Sequence, residues 1–132
     1  MDKCFKVVHS PTATWAAAKS ACALDQAHLA TIESDAELIR LTPSLVGTNR
    51  YWIGLNDQSV EGSFVWDSGS ASTFRKWKSG QPDNSGGTED CGDLTVVGGI
   101  WLMNDNVCWR VSNYICSFTP TSVVSSSISS FS

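Results

Sequence analysis

Basic residues are scarce in this chain: Lys and Arg number 9 against 13 Asp and Glu in 132 residues, for a formal net charge of −4. No basic patch stands out, which excludes nucleic acid as a partner. No apolar run reaches membrane-spanning length, so insertion into a bilayer through a helix is excluded as well. Only two histidines are present, and none of the five cysteines forms a Cys-x-x-Cys pair, so zinc and thioredoxin-type readings lack their ligand sets. His9 and His28 lie far in sequence from the acidic stretch described below, and no nucleophile–base pattern accompanies them. The chain is not read as an enzyme. With no signal peptide before Met1, it reads as a mature or excised domain with an added initiator Met.

What is present fits one domain with a real core. Six tryptophans are many for this length and supply large rigid surfaces. The cysteines are better explained by disulfides in an oxidising compartment than by metal binding. Cys4–Val8 has the β-branched and aromatic content of a strand. Thr14 or Thr12 can cap a helix from Trp15, where Ala16, Ala17, Ala18 and Ala21 favour helix and Trp15, Ala18 and Cys22 share one face. His28–Ile32 reads as a brief extended segment. Ser34-Asp35-Ala36-Glu37 is a capping box that opens a second helix through about Leu41, stopped by Pro43. Tyr51–Leu55 is a buried-strand run, Ser63–Trp66 a hairpin strand, and Leu94–Val97 and Tyr114–Cys116 the remaining strands. From Asp67 to Gly92 turn formers dominate, broken by Phe74 and Trp77; so long an irregular segment is usually functional or disordered, and its aromatics and cysteine argue for order.

The stretch from Gln81 to Cys116 carries the chemistry. Gln81, Asp83, Glu89, Asn104 and Asp105 put oxygen-bearing side chains into what reads as two short loops, each followed closely by a cysteine, Cys91 or Cys108. Carboxylate, amide and carbonyl oxygens are what a hard cation selects, and Ca²⁺ takes about six to eight of them. Asp83, Glu89, Asp90, Asp93 and Asp105 would repel one another unless a cation sat among them; a solvated acidic loop is the plain alternative. Residues 117–132 contain eight serines and no charge, a composition that reads as a linker or stalk able to carry O-glycans.

Taken in order, Trp15…Cys22, His28–Ile32, Trp52-Ile53-Gly54-Leu55, Gln81-Pro82-Asp83, Glu89-Asp90-Cys91, Asn104-Asp105 and Tyr114-Ile115-Cys116 resemble the C-type lectin-like domain. The resemblance covers about residues 4–118, and the chain divides on it into a recognition domain at 1–118 and a Ser/Thr-rich tail at 119–132. It implies an α+β fold of two helices, small antiparallel sheets and a long calcium-binding loop region. It further implies disulfides Cys22–Cys116 and Cys91–Cys108, the first closing a long loop at a gain of roughly 4 kcal/mol in the chain-entropy model. Cys4 lies where longer members have the second cysteine of an N-terminal hairpin. Three states stay open for it: a partner lost upstream, a bond between chains, or a free buried thiol.

By the same resemblance, Ca²⁺ at the sugar site is held by Gln81, Asp83, Glu89, Asn104 and Asp105, with a main-chain carbonyl from Asp105 and a cis peptide before Pro82. A second Ca²⁺ position matches Asp57, Glu61, Glu89 and Asp90, with neutral Asn84 where an Asp is common. Coordination left open by these ligands suits two adjacent sugar hydroxyls, each donating to Asp83, Glu89 or Asp105 and accepting from the amide of Gln81 or Asn104. The Gln-Pro-Asp order is linked in the family to galactose or N-acetylgalactosamine, and Glu-Pro-Asn to mannose-type ligands. Galactose binders usually add a stacking aromatic, absent from Asn84–Thr88. Trp101 could supply that platform, or could fill the core place of the family's Trp that Met103 replaces; the core is favoured, since buried aromatics are commoner. Trp52, Trp66 and Trp77 are assigned to the core, and Trp109 is left open. The expected activity is therefore calcium-dependent binding of galactose-type glycans outside the cell, in a secreted protein or an ectodomain. Oligomers or tandem domains would supply avidity. A protein-binding module on the same scaffold is the alternative, and an ice-binding role a remote third.

Overall fold

The structure, a computed structural model, describes residues 3–81 and 89–120. Pro82, Asp83 and Asn84, the expected cis peptide before Pro82, and the tail beyond Pro120 lie outside the described residues. Ten-residue strand β1 (Cys4–Ala13) leads into helix α1 (Trp15–Leu24). Short strand β2 (His28–Leu29), helix α2 (Asp35–Leu41) and a 3₁₀ turn (Thr42–Ser44) follow. Then come β3 (Tyr51–Asn56), β4 (Val65–Trp66), β5 (Cys91–Val97), β6 (Ile100–Asn106) and β7 (Ser112–Phe118). One sheet runs β1-β7-β3-β5-β6, with β2 added to β7 and β4 to β3. The separate small antiparallel sheets expected are joined into a single sheet because β3 and β7 pair in parallel, Tyr51 beside Asn113 and Trp52 beside Tyr114.

Local chemistry accounts for the helices. Thr14 Oγ1 accepts from Ala17 N and fixes the start of α1, burying Trp15, Ala18 and Cys22 on one face. Ser34 Oγ caps α2 through Glu37 N, but the Glu37 carboxylate turns back to the Glu33 N–H rather than to Ser34, so the box closes one residue early. Pro43 does not merely stop α2; it is absorbed into the 3₁₀ turn, where its missing N–H costs nothing. Disulfide Cys22–Cys116, with a sequence separation of 94, ties α1 to β7, and Cys91–Cys108 ties β5 to the loop after β6. Cys4 is exposed and unpaired among the described residues, so the buried-thiol alternative falls.

Strand β3 is buried along its whole length and separates two apolar clusters. One gathers Ile32, Leu38, Leu41, Ile53, Leu94, Trp101, Met103 and Ile115. The other gathers Trp15, Leu29, Trp52, Cys91 and the Cys22–Cys116 bridge. Trp15 donates its indole N–H to Ile53 O at 2.8 Å, and Trp52 donates to Ala13 O at 3.0 Å, so these large buried rings also satisfy backbone carbonyls. In the irregular 67–81 segment, Ser68, Ser70 and Ser72 each accept, through Oγ, the N–H two residues on. Arg75 donates to Phe64 O, Ser72 O and Phe74 O. Hydroxyls and a guanidinium thus replace a ladder and keep the segment ordered.

Gly54 lies where β3 crosses the β2 segment: a Cβ there would stand 2.8 Å from Leu29 O and 3.2 Å from Ala30 O. Gly47 would meet only Val96 Cγ1, at 3.8 Å. Gly54→Ala is therefore expected to lower stability by about 2 kcal/mol or more, and Gly47→Ala by well under that. Chemical denaturation of both variants checks this; equal midpoints would show that the close approach has no consequence.

Candidate metal and ligand site

The β5–β6 ladder fixes the centre of the site. Cys91 pairs with Asn106, Gly92 with Asp105 and Asp93 with Asn104, immediately before the Cys91–Cys108 bond. Asn104 and Asp105 are thus strand residues, buried to 7% and 1% exposure, and not members of a loop as their composition suggests. Met103 carries the neighbouring segment: Met103 N donates to Lys76 O and Lys78 N to Met103 O, both at 2.7 Å, while Gln81 N donates to Lys78 O. These bonds bring the half-buried Gln81 turn against β6 next to Asn104. Glu89 and Asp90, also half-buried, lead directly into β5. Of the expected sugar-site ligands, Gln81, Glu89, Asn104 and Asp105 are described, and Asp83 is not.

Sequence reasoning missed the role of Asp93. This carboxylate is wholly buried and accepts from Asn106 Nδ2 at 2.9 Å and from Asn104 Nδ2 at 3.2 Å. Burial pushes its pKa up to about 6, against the pull of the two amides and of Arg50. Asn104 Nδ2 also donates to Asp105 O at 2.9 Å, so both amide hydrogens of Asn104 are used internally and its Oδ1 is left for a ligand. Alternation could have revealed this: Asp93 stands two residues after Cys91 and shares its inward face.

A second acidic group lies where β3 ends. One ligand atom from each of Asp57, Glu61 and Asp90 falls within 4.8 Å of the others. Asp57 is 2% exposed; its Oδ2 accepts from Gly62 N at 2.7 Å, and its N–H donates to Asp90 O. Asp57 Oδ1 and Asp90 Oδ1 are buried with no hydrogen-bond partner. Carboxyl groups this close hold protons: the hydrogen bond with Asp57, then burial and Asp90, raise Glu61 to about 7, and burial foremost raises Asp90. Two partnerless carboxylate oxygens and a third carboxyl within reach fit a hard divalent cation, which would replace the shared protons. Asp57, Glu61 and Asp90 are thus brought together as the sequence suggested for a second Ca²⁺; Asn84 is outside the described residues.

The tryptophans sort cleanly. Trp101, a candidate stacking platform from sequence, is 7% exposed and meets Tyr51 edge-on with ring centroids 5.7 Å apart. It belongs to the core because β6 turns it inward with Met103; the ligand-stacking assignment is corrected accordingly. Trp52 and Trp66 are buried, and Trp77 packs edge-on against Phe64. Trp109 is 68% exposed.

A disulfide-clamped, acid-lined loop region on a two-helix, one-sheet scaffold defines a lectin-type recognition domain. The Lectin C-type domain family model matches residues 11–118, and the chain belongs to the C-type lectin family, a class of carbohydrate-binding, non-enzymatic domains. Among similar proteins, the galactose-specific lectin nattectin of Thalassophryne nattereri is 34% identical over 119 residues, covering 87% of this chain and 73% of nattectin. An alpha-N-acetylgalactosamine-specific lectin of Patiria pectinifera is 41% identical over 100 residues, covering 71% of this chain and 59% of that protein. The chain likewise spans 54% of Lectin BRA-3 from Megabalanus rosa. The crystal structure of C-type lectin CEL-I from Cucumaria echinata superposes with a TM-score of 0.82 at 30% identity, covering 90% of this chain and 91% of that one. Domains of this family are typically extracellular, and no described helix is long and apolar enough to cross a membrane.

With no cation, the raised pKa of Glu61 means that the folded domain binds more protons than the unfolded chain between the ordinary value of 4.5 and about 7. Stability in chelator is then expected to fall as pH rises through that window, and Ca²⁺ to restore it. Melting temperatures from pH 4.5 to 7.5 check this, with Glu61→Gln expected to flatten the slope. An unchanged slope in that variant would assign the effect elsewhere.

Proposed function

We propose that the domain binds galactose- or N-acetylgalactosamine-type glycans through Ca²⁺ held by Gln81, Asp83, Glu89, Asn104 and Asp105. A second Ca²⁺ on Asp57, Glu61, Glu89 and Asp90, with Asn84 beside them, steadies the loops. The observation that supports this reading is the β5–β6 register beside the Cys91–Cys108 bond, with Met103 O accepting from Lys78 N and Lys78 O from Gln81 N. Carboxylate, amide and carbonyl oxygens form a donor set suited to calcium. Bound Ca²⁺ would supply open coordination for two sugar hydroxyls.

The protein's own groups then set the hydroxyl pattern. Asp105 O accepts from Asn104 Nδ2 at 2.9 Å. With the hydrogens of Asn104 committed inside, the donor to a sugar hydroxyl falls to Gln81, and Asp83, Glu89 and Asp105 accept hydroxyl protons. One amide and one acid flanking Pro82 in that order support galactose, as does the similarity to the galactose-specific nattectin and the alpha-N-acetylgalactosamine-specific Patiria lectin. Trp101 supplies no stacking face, so specificity rests on the hydroxyl pattern. A single shallow polar site of this kind binds at about millimolar Kd.

Asp83→Ala and Asn104→Ala are each expected to abolish calcium-dependent retention on a galactose matrix with the far-UV spectrum unchanged. Gln81→Glu combined with Asp83→Asn is expected to shift competition toward mannose. Retention that survives the single changes, or no retention by the unaltered protein, would move the function to a protein ligand on the same scaffold.

A further inference from the structure

A cavity of about 320 Å³ opens where β1 and β6 end and β3 and β7 begin. That volume falls at the low end of ligand pockets, about 300–1,000 Å³. Its rim carries Arg50, Arg110, Thr12 and Thr48, and its floor Asn106 and Asn113. No carboxylate lines it, although acids outnumber bases in the chain. None of the residues proposed above as calcium ligands lines it either.

Among the described residues, the two arginines share with Lys78 a lack of side-chain partners that sets them apart from the other six cations. Lys3, Lys6, Lys19 and Lys76 are ion-paired, and Arg40 and Arg75 donate to main-chain carbonyls. The Arg50 and Arg110 guanidiniums have neither an ion pair nor a hydrogen bond among the described residues. Arg50 acts on the buried Asp93 carboxylate through its charge without an ion pair, and Asn106 already accepts from Val107 N and donates to Asp93. Asn113, 7% exposed at the floor, has an Oδ1 with no partner. A polar atom shut away without a hydrogen bond is relieved by any donor the pocket admits, once the amide turns toward it.

Two unspent guanidinium forks match the planar or tetrahedral oxygens of a carboxylate or sulfate, and a hydroxyl is the donor Asn113 lacks. We infer that this cavity is a calcium-independent subsite for an acidic saccharide, Arg50 and Arg110 taking its sulfate or carboxylate and Asn113 a neighbouring hydroxyl. The site stands apart from the calcium-dependent reading above and is tested in chelator, so either can fail alone.

Fluorescence polarisation in chelator at low salt, with a labelled heparin hexasaccharide and a labelled hyaluronan hexasaccharide, tests the assignment. Binding of either probe is expected; the heparin arm alone means sulfate, both arms mean that carboxylate suffices. Arg50→Gln with Arg110→Gln should weaken binding at least tenfold, and so should Thr48→Glu, which leaves both arginines in place and puts an acid on an exposed rim position. Lys6→Gln with Lys19→Gln removes the same charge elsewhere and should leave binding within twofold. Equal loss in the arginine and lysine variants would reduce the effect to net charge and overturn the subsite, as would failure of both probes to bind the unaltered protein.

Discussion

The register of β5 on β6 is the constraint on which the rest depends. Gly98 and Gly99, at φ 59° and 84°, form a two-residue hairpin turn between Val97 and Ile100. Left-handed φ at both central positions is the geometry that matches strand twist, and glycine takes it without the Cβ clash of other residues. From that turn seven pairs run unbroken to Cys91 and Asn106. A slip of one residue would exchange the two faces of the strand, turning Asn104 away from Asp93 and Trp101 out of the core. The Cys91–Cys108 bond closes the far end, so the ladder is pinned at both extremities.

Acidic groups in this region meet two different fates. Asp93 is completely buried, yet two amides donate to it; its charge is accommodated by the protein itself. Asp57 and Asp90 each keep a buried oxygen with no donor, and Glu61 is held partly protonated against them. The first arrangement is closed and organises Asn104 and Asn106. The second is open, its stability contingent on a proton or a cation. Counting acids in the sequence cannot separate these cases, because the difference lies in which donors the fold brings to each oxygen.

Legibility in the sequence followed the range of the determining interaction. Thr14 and Ser34 as caps, the apolar face of α1 and the β3 run were readable because capping and periodicity act over a few residues. Resemblance supplied both disulfide pairings, which residue spacing alone leaves open. Strand β6 was lost: Met103-Asn104-Asp105-Asn106 reads as turn formers, and only pairing with Cys91–Val97 makes it extended. The internal use of the Asn104 amide was equally hidden, since its acceptor Asp93 stands across the ladder. Arg50 and Arg110 carry no sequence signal for the same reason: sixty residues part them, and the cavity exists only once β3 and β7 lie parallel.

Chain direction explains why the recognition surface stays open. Cys4 pairs with Phe118 at one end of the β1–β7 ladder and Ala13 with Ser112 at the other. The six steps of β7 from Ser112 to Phe118 span about 20 Å, so these two ends are separated. Trp15 N donates to Cys108 O at 3.0 Å, which fixes the clamped loop to the Ala13 end, and the arginine cavity holds Thr12 and Ser112 of that same end. Phe118 and exposed Cys4 therefore lie at the end away from the clamped loop and the arginine cavity. A weak site gains avidity only if several copies can face one glycan surface together, and an opposite end clear of both pockets is compatible with that.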